Sequence, residues 1–505
     1  MAPGMIGRPA GRAVVGLVAL ATGACMVGPN YEEPVTPVAD AWQSAVTLEM
    51  STEEPVITRW WEALGDSTLT SLIRRSELQS LNLQFAVARV AEARALRGFA
   101  KGDLFPSVTL EGAYSRVRVS ENSPVGQVVT GQGGAVEPAN QWETRAAVGW
   151  EIDLFGRIRR SIEAATAQFQ ASIEDYRDVQ VSLYAEVAAN YVEVRSLQER
   201  LDYARQNVEG QRESVQLTRD RYRAGLTSAL DVAQAEQNLA QTESVIPQLE
   251  TALNAALNRL AVLLGEQPGA LHAELAVEGP PPLPTAPADI TTGVPADLLR
   301  RRPDIRRAER ALAAQTALVG VATADLYPSF SISGFIEAVT GTLSNLFTGG
   351  SVGWGIVPGF RWDIFRGGQI RSNIRVQEAR MQQALIAYQQ TVLSALEELE
   401  DALVAYDRER LRRDRLREAV DASGRAVALV RTQYLSGLTN FQNLLDTQRS
   451  LFQQQDLLAE SEGLVVQNLI VLNRALGGGW QTDEAGVAPD QAAGTPTPTD
   501  GGGGR

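Results

Sequence analysis

Two patterns of apolar positions divide this chain. The first has the period of a helix. From Ile158 and Ile162 through Phe169, Tyr176, Leu183, Tyr191, Leu197 and Val208, apolar residues return at a mean step of roughly 3.6. No Gly or Pro interrupts residues 157–209 or 369–423. A helix over residues 157–222 would be on the order of 100 Å long at 1.5 Å per residue, well beyond a globular helix. Rods of that length must pack along other rods, so coiled-coil-like bundles are expected. Ala-rich stretches such as Ala164-Ala165-Thr166-Ala167 permit close approach.

The second pattern is strict alternation. Val108, Leu110, Gly112 and Tyr114 alternate with Thr109, Glu111, Ala113 and Ser115. Ala146, Val148, Trp150 and Ile152 alternate with Arg145, Ala147, Gly149, Glu151 and Asp153. Farther on, Phe330, Ile332, Gly334 and Ile336 alternate with Ser331 and Ser333, and Val352, Trp354 and Ile356 with Ser351, Gly353 and Gly355. Alternation over about ten residues fits a membrane barrel strand, apolar toward lipid and polar toward a lumen. A soluble four-helix bundle or rod would share the helical pattern but not these strands. Trp142, Trp150, Trp354 and Trp362 suit interfacial aromatics. Pro358 predicts a bulge or a bend out of the sheet. Four strands cannot close a barrel, and open edges in lipid are forbidden, so more than one chain must contribute. The Gly- and polar-rich loop over residues 121–141 is expected to face outside the cell.

These elements occur twice. Leu104-Phe105-Pro106-Ser107 returns as Leu326-Tyr327-Pro328-Ser329. Trp150-Glu151-Ile152-Asp153-Leu154-Phe155-Gly156 returns loosely as residues 360–367, and Tyr222-Arg223-Ala224-Gly225-Leu226-Thr227 as Tyr434-Leu435-Ser436-Gly437-Leu438-Thr439. Three landmarks in one order predict a duplicated unit of helix, hairpin, very long helix, tight turn and helix. Repeat 1 is read over residues 66–265, with a hairpin at 105–155 and helices at 157–222 and 227–264. Repeat 2 is read over 296–478, with a hairpin at 327–365 and helices at 369–434 and 439–476.

Composition narrows the function. The chain has 505 residues, a formal net charge of −14, 44% hydrophobic residues and 6% aromatics. The acidic balance argues against nucleic acid as a partner. One cysteine, Cys25, and one histidine, His272, leave no Cys/His metal cluster or dyad. His272, in a Pro-rich connection, is expected to be solvent-exposed. No phosphate loop or nucleophile elbow appears, and no carboxylates pair in a recognisable site, so no enzyme is expected. No apolar run reaches about 18 residues, so any membrane span must be made of strands.

Arg8 and Arg12 precede an apolar stretch from Ala13 to Ala21, and Gly23 and Ala24 precede Cys25. Residues 1–24 thus resemble a bacterial lipoprotein signal, with Thr22 where Leu is usual. An ordinary secretory signal with an incidental Cys is the alternative. Acyl chains on Cys25 would each add about 0.8 kcal/mol per buried CH₂. Met26 at the next position implies, among such lipoproteins, sorting to the outer membrane.

Cys25-Met26-Val27-Gly28-Pro29-Asn30-Tyr31, Trp60-Trp61, Arg301-Arg302-Pro303-Asp304-Ile305-Arg306, Asp153-Leu154-Phe155-Gly156 and the paired Tyr-x-x-Gly turns together resemble TolC/OprM-type outer-membrane efflux channels of the lipoprotein branch. The resemblance runs from Cys25 to Gly479. It implies an α+β membrane protein, a homotrimer with a 12-stranded β-barrel, four strands per protomer, continued by a long α-helical coiled-coil barrel. It also implies a periplasmic adaptor, an RND-type inner-membrane pump and contact with outer-membrane lipid, with no cofactor or metal. Residues 25–65 and the Pro-rich connection 266–295 fall in its equatorial region, and residues 479–505 form a tail expected to be disordered. Pro303 and Asp304 suit the first turn of a helix. The arginines at 300–302 read as a solvated or packing cluster, and Trp60-Trp61 as packing.

The resemblance also assigns a gate. The two Gly turns, Tyr222–Gly225 and Tyr434–Gly437, would lie at the rod ends farthest from the barrel. An acid at the position of Asp446 lines the closed entrance in the family, so three copies would make a carboxylate ring. Arg449 is its neighbour three residues on. Tyr434 and Asp231 match the residues that link the inner helix pair to a neighbouring protomer. Asn443 stands where some members carry a second acid, and Thr439 where some carry Arg. The same residues also read as ordinary solvated helix surface. Three functions remain open: an exit duct for small toxic molecules, the same duct serving type I protein secretion, and a scaffolding lipoprotein without a pore.

Overall fold

The computed structural model describes residues 26–39, 41–42, 50–51, 58–276, 279, 283–285, 290–291 and 301–480. Cys25, Arg300 and the tail from residue 481 lie outside the described residues. Helices α1 (Ser67–Gln79) and α2 (Leu81–Gly102) precede strand β1 (Ser107–Val117), helix α3 (Pro124–Gly131) and strand β2 (Ala139–Ile152). Helix α4 (Arg157–Arg223) then leads to α5 (Ala229–Glu243) and α6 (Val245–Leu263). The second half repeats the order: α7 (Pro303–Ala324), β3 (Ser329–Thr340), β4 (Val352–Arg361), α8 (Gln369–Leu435) and α9 (Phe441–Ala475). Both α4 and α8 are unbroken over 67 residues; the Gly- and Pro-free runs predict most of that length, and each helix continues through one glycine, Gly210 or Gly424.

Two differences from the sequence expectation are local. The helix expected over residues 227–264 restarts at Ser244, because Pro247 lacks an N–H and its ring would strike the carbonyl of residue 243 in a continuous helix. The loop over 121–141 is not wholly irregular. Ser123 accepts from the Gly126 N–H at 3.1 Å and starts α3, with Pro124 in its first turn.

The chain forms two compact units. One contains residues 26–34, 92–170 and 309–386, including a four-stranded antiparallel sheet in the order β1-β2-β3-β4. Its register sets Leu110, Ala146, Ile336 and Trp354 in one row and Val108, Val148, Gly334 and Ile356 in the next. Directly paired residues share a face, so the apolar halves of all four strands merge into one surface. That surface is open: Leu110, Ile336, Trp354 and Ile356 are all exposed. The opposite face carries Glu111, Arg145 and Glu337, with the Arg145 guanidinium 4.5 Å from the Phe335 ring centroid. Among the described residues, strands β1 and β4 have only one neighbour each.

Pro358 corrects the expected bulge. It pairs with Ile332 in a register that runs unbroken from Ser329↔Arg361 to Ala338↔Val352. β4 has no second neighbour among the described residues, and an edge strand tolerates a proline whose nitrogen faces away from the partner strand. At the helix-proximal end, the Trp150 indole donates to the Leu104 carbonyl at 3.0 Å, and Trp362 donates to the Leu326 carbonyl at 3.1 Å. The duplication thus extends to side-chain geometry.

In the same unit, residues 26–34 lie as a strap on the helices. Val27 N–H donates to the Phe155 carbonyl at 3.2 Å. Arg160, 1% exposed, donates to the carbonyls of Val27 and Gly28 and to Asn30 Oδ1 at 2.8 Å. Gly28 has φ +86°, and a Cβ there would stand 2.4 Å from Gly320 Cα. Tyr31 donates its hydroxyl to Glu309 at 2.6 Å.

The other unit holds residues 35–91, 171–308 and 387–480 among those described, and the main hydrophobic core. Trp60 and Trp61 meet edge to face at 5.7 Å, and Trp61 meets Tyr184 at 5.0 Å. Leu69, Leu72, Val187, Leu260 and Leu472 are fully enclosed. Met50–Ser51 and Ile290–Thr291 pair in parallel, joining the two segments assigned to the equatorial region. His272 is half-buried, not solvent-exposed: its Nε2 is 2.8 Å from Asn254 Oδ1. Arg302 is buried and reaches Asp304, Glu398 and the Ala475 carbonyl, each at 2.8 Å. It is the packing member of the arginine cluster.

Candidate functional site

The site expected at the helix turns falls within the second unit. Each turn ends its long helix the same way. Leu226 N–H donates to the Arg221 carbonyl and Gly225 N–H to Tyr222, while Leu438 donates to Gln433 and Gly437 to Tyr434. Gly225 and Gly437 have φ of 70° and 73°, the left-handed conformation that this paired-bond helix ending requires. The next helices are capped at once. Ser228 accepts from Asp231 N–H, and Asp231 accepts from Ser228 N–H in return. Asn440 accepts from Asn443 N–H at 3.1 Å.

Beneath the turns lies a small core of Val215, Ala235, Tyr434, Phe441, Leu444 and Leu445. Tyr434 is part of it, 3% exposed, with its ring 5.7 Å from Phe441. The Arg221 guanidinium lies 4.7 Å from the Tyr434 ring centroid. Asp446 is exposed on α9 and accepts from Gln442 at 3.0 Å. Arg449 donates to Asn238 Oδ1 at 2.7 Å and so ties α9 to α5.

The four residues assigned to the gate therefore gather at one end of the helix hairpins, and each makes its polar or ring contacts with other residues among those described. Asp231 bonds Thr227 and its own cap, not Tyr434. The Tyr434 hydroxyl is buried without a hydrogen-bond partner among the described residues. Asp446 and Arg449 turn to Gln442 and Asn238 rather than to each other. Sequence reading missed Arg221 and Asn238. Their partners lie 214 and 211 positions away, and nothing local marks such a residue.

The model of the outer membrane efflux protein family matches residues 72–266 and again residues 294–478. The chain belongs to this family. Among efflux-family relatives, outer membrane protein OprJ of Pseudomonas aeruginosa is 32% identical over 469 residues, covering 92% of this chain and 95% of that protein. Nodulation protein T of Rhizobium leguminosarum bv. trifolii is 31% identical, covering 90% of this chain and 95% of the relative. The solved outer-membrane channel OprN superposes with a TM-score of 0.81 at 36% identity, over 91% of this chain and all of that one. The two family matches contain both glycine turns and Asp231, Tyr434, Asp446 and Arg449.

This family member therefore has the fold of an outer-membrane channel, mostly helical with one four-stranded sheet per protomer. No described helix is long and apolar enough to cross a membrane. The described residues hold no group of three or more His, Cys, Asp or Glu arranged for a metal ion.

Proposed function

We propose that three copies of this chain pool their sheets into one twelve-stranded outer-membrane barrel and form the passive exit duct of a tripartite efflux system for small toxic compounds. The observation that carries this reading is the sheet itself. It has one continuous apolar face and, among the described residues, two unpaired edges, β1 and β4. Hydrocarbon does not tolerate open edges, so the apolar face can enter lipid only when neighbouring chains close the ring. Acylated Cys25 tethers each protomer. A periplasmic adaptor and an RND-type inner-membrane pump complete the system, and the pump supplies the energy. Asp446, Arg449, Tyr434 and Asp231 form the gate, which partner binding shifts toward an open state.

Two measurements test this. The purified full chain should be a heat-modifiable oligomer that conducts ions across planar bilayers. A strain lacking the gene should become sensitive to drugs, dyes or metals. A non-conducting monomer sinks the reading. Loss of a secreted protein with unchanged sensitivity moves the duct to protein secretion.

A further inference from the structure

The two glycine turns share one sequence pattern, yet their tyrosines sit in opposite surroundings. Tyr222 is 50% exposed, and Tyr434, its equivalent in the second repeat, only 3%. Arg221 is placed on the buried one. Besides lying over the Tyr434 ring, it donates Nη1 to the Leu435 carbonyl at 3.3 Å. Leu435 is the last residue of α8, where unpaired carbonyls concentrate negative charge and favour a cation. One arginine at the end of α4 thus caps α8 and covers its tyrosine. The equivalent of Arg221 in the second repeat is Gln433, which carries no charge, so the contact has no mirror image.

The contact is also incomplete. Arg221 Nε and the Tyr434 hydroxyl are both buried without a hydrogen-bond partner among the described residues. The guanidinium is held by one ring face and one carbonyl. The other contacts across the repeats near the turns include Glu213–Arg431, Ser214–Gln448 and Asn238–Arg449. Of these, only Glu213–Arg431 is an ion pair, and both partners are more than half exposed, which makes it weak. A cation stacked over a desolvated ring holds more firmly than an exposed pair, yet it can slide off without breaking a buried salt bridge.

We propose that Arg221 is the latch that ties the second turn to the first and holds the inner helix pair in its resting position. This rests on the channel reading above. Arg221 acts through Tyr434 and Leu435; it is a positioning residue, and release of its guanidinium frees α8 and α9 to move.

The test compares wild type, R221Q, R221K and Y434L as full chains in planar bilayers, with oligomer content measured alongside. R221Q installs the residue that the second repeat carries. Its open probability should rise on the order of tenfold at unchanged oligomer content. R221K should fall between, because an ammonium keeps the charge but loses the planar stacking. Y434L should open at least as much as R221Q, and the double variant should fall short of the sum of the two, since the Arg221–Tyr434 contact is lost in both. Open probabilities equal to wild type in R221Q and Y434L overturn the latch while leaving the channel intact. If R221Q fails to assemble, R221K decides, and an unchanged open probability there also overturns it. A wild-type chain that never conducts overturns the channel reading instead.

Discussion

Asp231 and Asn443 occupy the same place in the two repeats, three residues past the N-cap of the helix that follows each glycine turn, yet only Asp231 is charged. Asp231 accepts from Ser228 N–H and from the Thr227 hydroxyl. Asn443 reverses the direction and donates Nδ2 to Thr439 Oγ1 at 2.9 Å. The local cap survives while the second repeat loses a negative charge, which leaves Asp446 as the exposed acid near the second turn.

That charge difference predicts opposite effects for two variants. Asp446→Ala should raise single-channel conductance and weaken block by multivalent cations. Asn443→Asp should strengthen the block, because it adds a carboxylate per protomer on the same helix. Conductance and block unchanged in both would reject the carboxylate ring.

The strap of residues 26–34 depends on two backbones passing close together. A methyl group at Gly28 would meet Gly320 Cα at 2.4 Å, and Gly28 has a positive φ that an L side chain resists. Gly28→Ala should therefore release the strap from Arg160 and expose it to protease. Limited proteolysis of the purified protein reads this as faster cleavage within residues 26–39. Cleavage at the wild-type rate contradicts the seat.

The Arg302 side chain is only 11% exposed and holds Asp304 and Glu398, which keep 19% and 29%. Arg302→Met leaves both carboxylates short of a partner, although Glu398 keeps Arg474 at 2.7 Å. Removing one member of a buried ion pair costs about 3 kcal/mol at the lower end of its range. Denaturant unfolding should show a loss of that size. A change below about 1 kcal/mol would place the network at the solvated surface instead.

Glu199 on α4 is pushed up to about 7 by burial, then by the charges of Glu462 and Asp202. Glu462 is itself held by Arg417 at 2.6 Å. The folded value exceeds the unfolded one near 4.5, so the folded chain keeps the proton longer. The stability this contributes is complete below the unfolded value and is lost as pH rises through about 7. Glu199→Gln should melt with wild type at about pH 4, below the unfolded value, and about 1–2 °C higher at about pH 8. A melting difference of equal size at both pH values rules out the titration.

Much of this fold is written in short stretches of the chain. Helix α4 ends within one residue of the periodic run at 157–222, because helical period is a property of neighbouring residues, and the single glycine inside it, Gly210, weakens a long helix without breaking it. The four strands follow their alternation, and both turns follow from a glycine that can adopt positive φ. Pro358 misled because a proline is forbidden only where its missing N–H is needed, and edge position is a matter of strand order, not of sequence. Pro247 is a local signal of the break at Ser244, and the expectation of one helix over 227–264 passed over it.

What the sequence determined alone is therefore everything set by spacing: two repeats, their rods, their strands and the caps at their turns. Tertiary structure alone decided which polar groups are buried and what they face. Tyr222 and Tyr434 are alike in sequence, yet Tyr434 joins the core of Val215, Ala235, Phe441, Leu444 and Leu445 and lies under Arg221. Arg160, Arg302 and Arg221 likewise find partners between 96 and 214 positions away, through the strap, through Glu398 and Ala475, and through Leu435. Burial is a sum over everything packed around a side chain, and no window along the chain contains it.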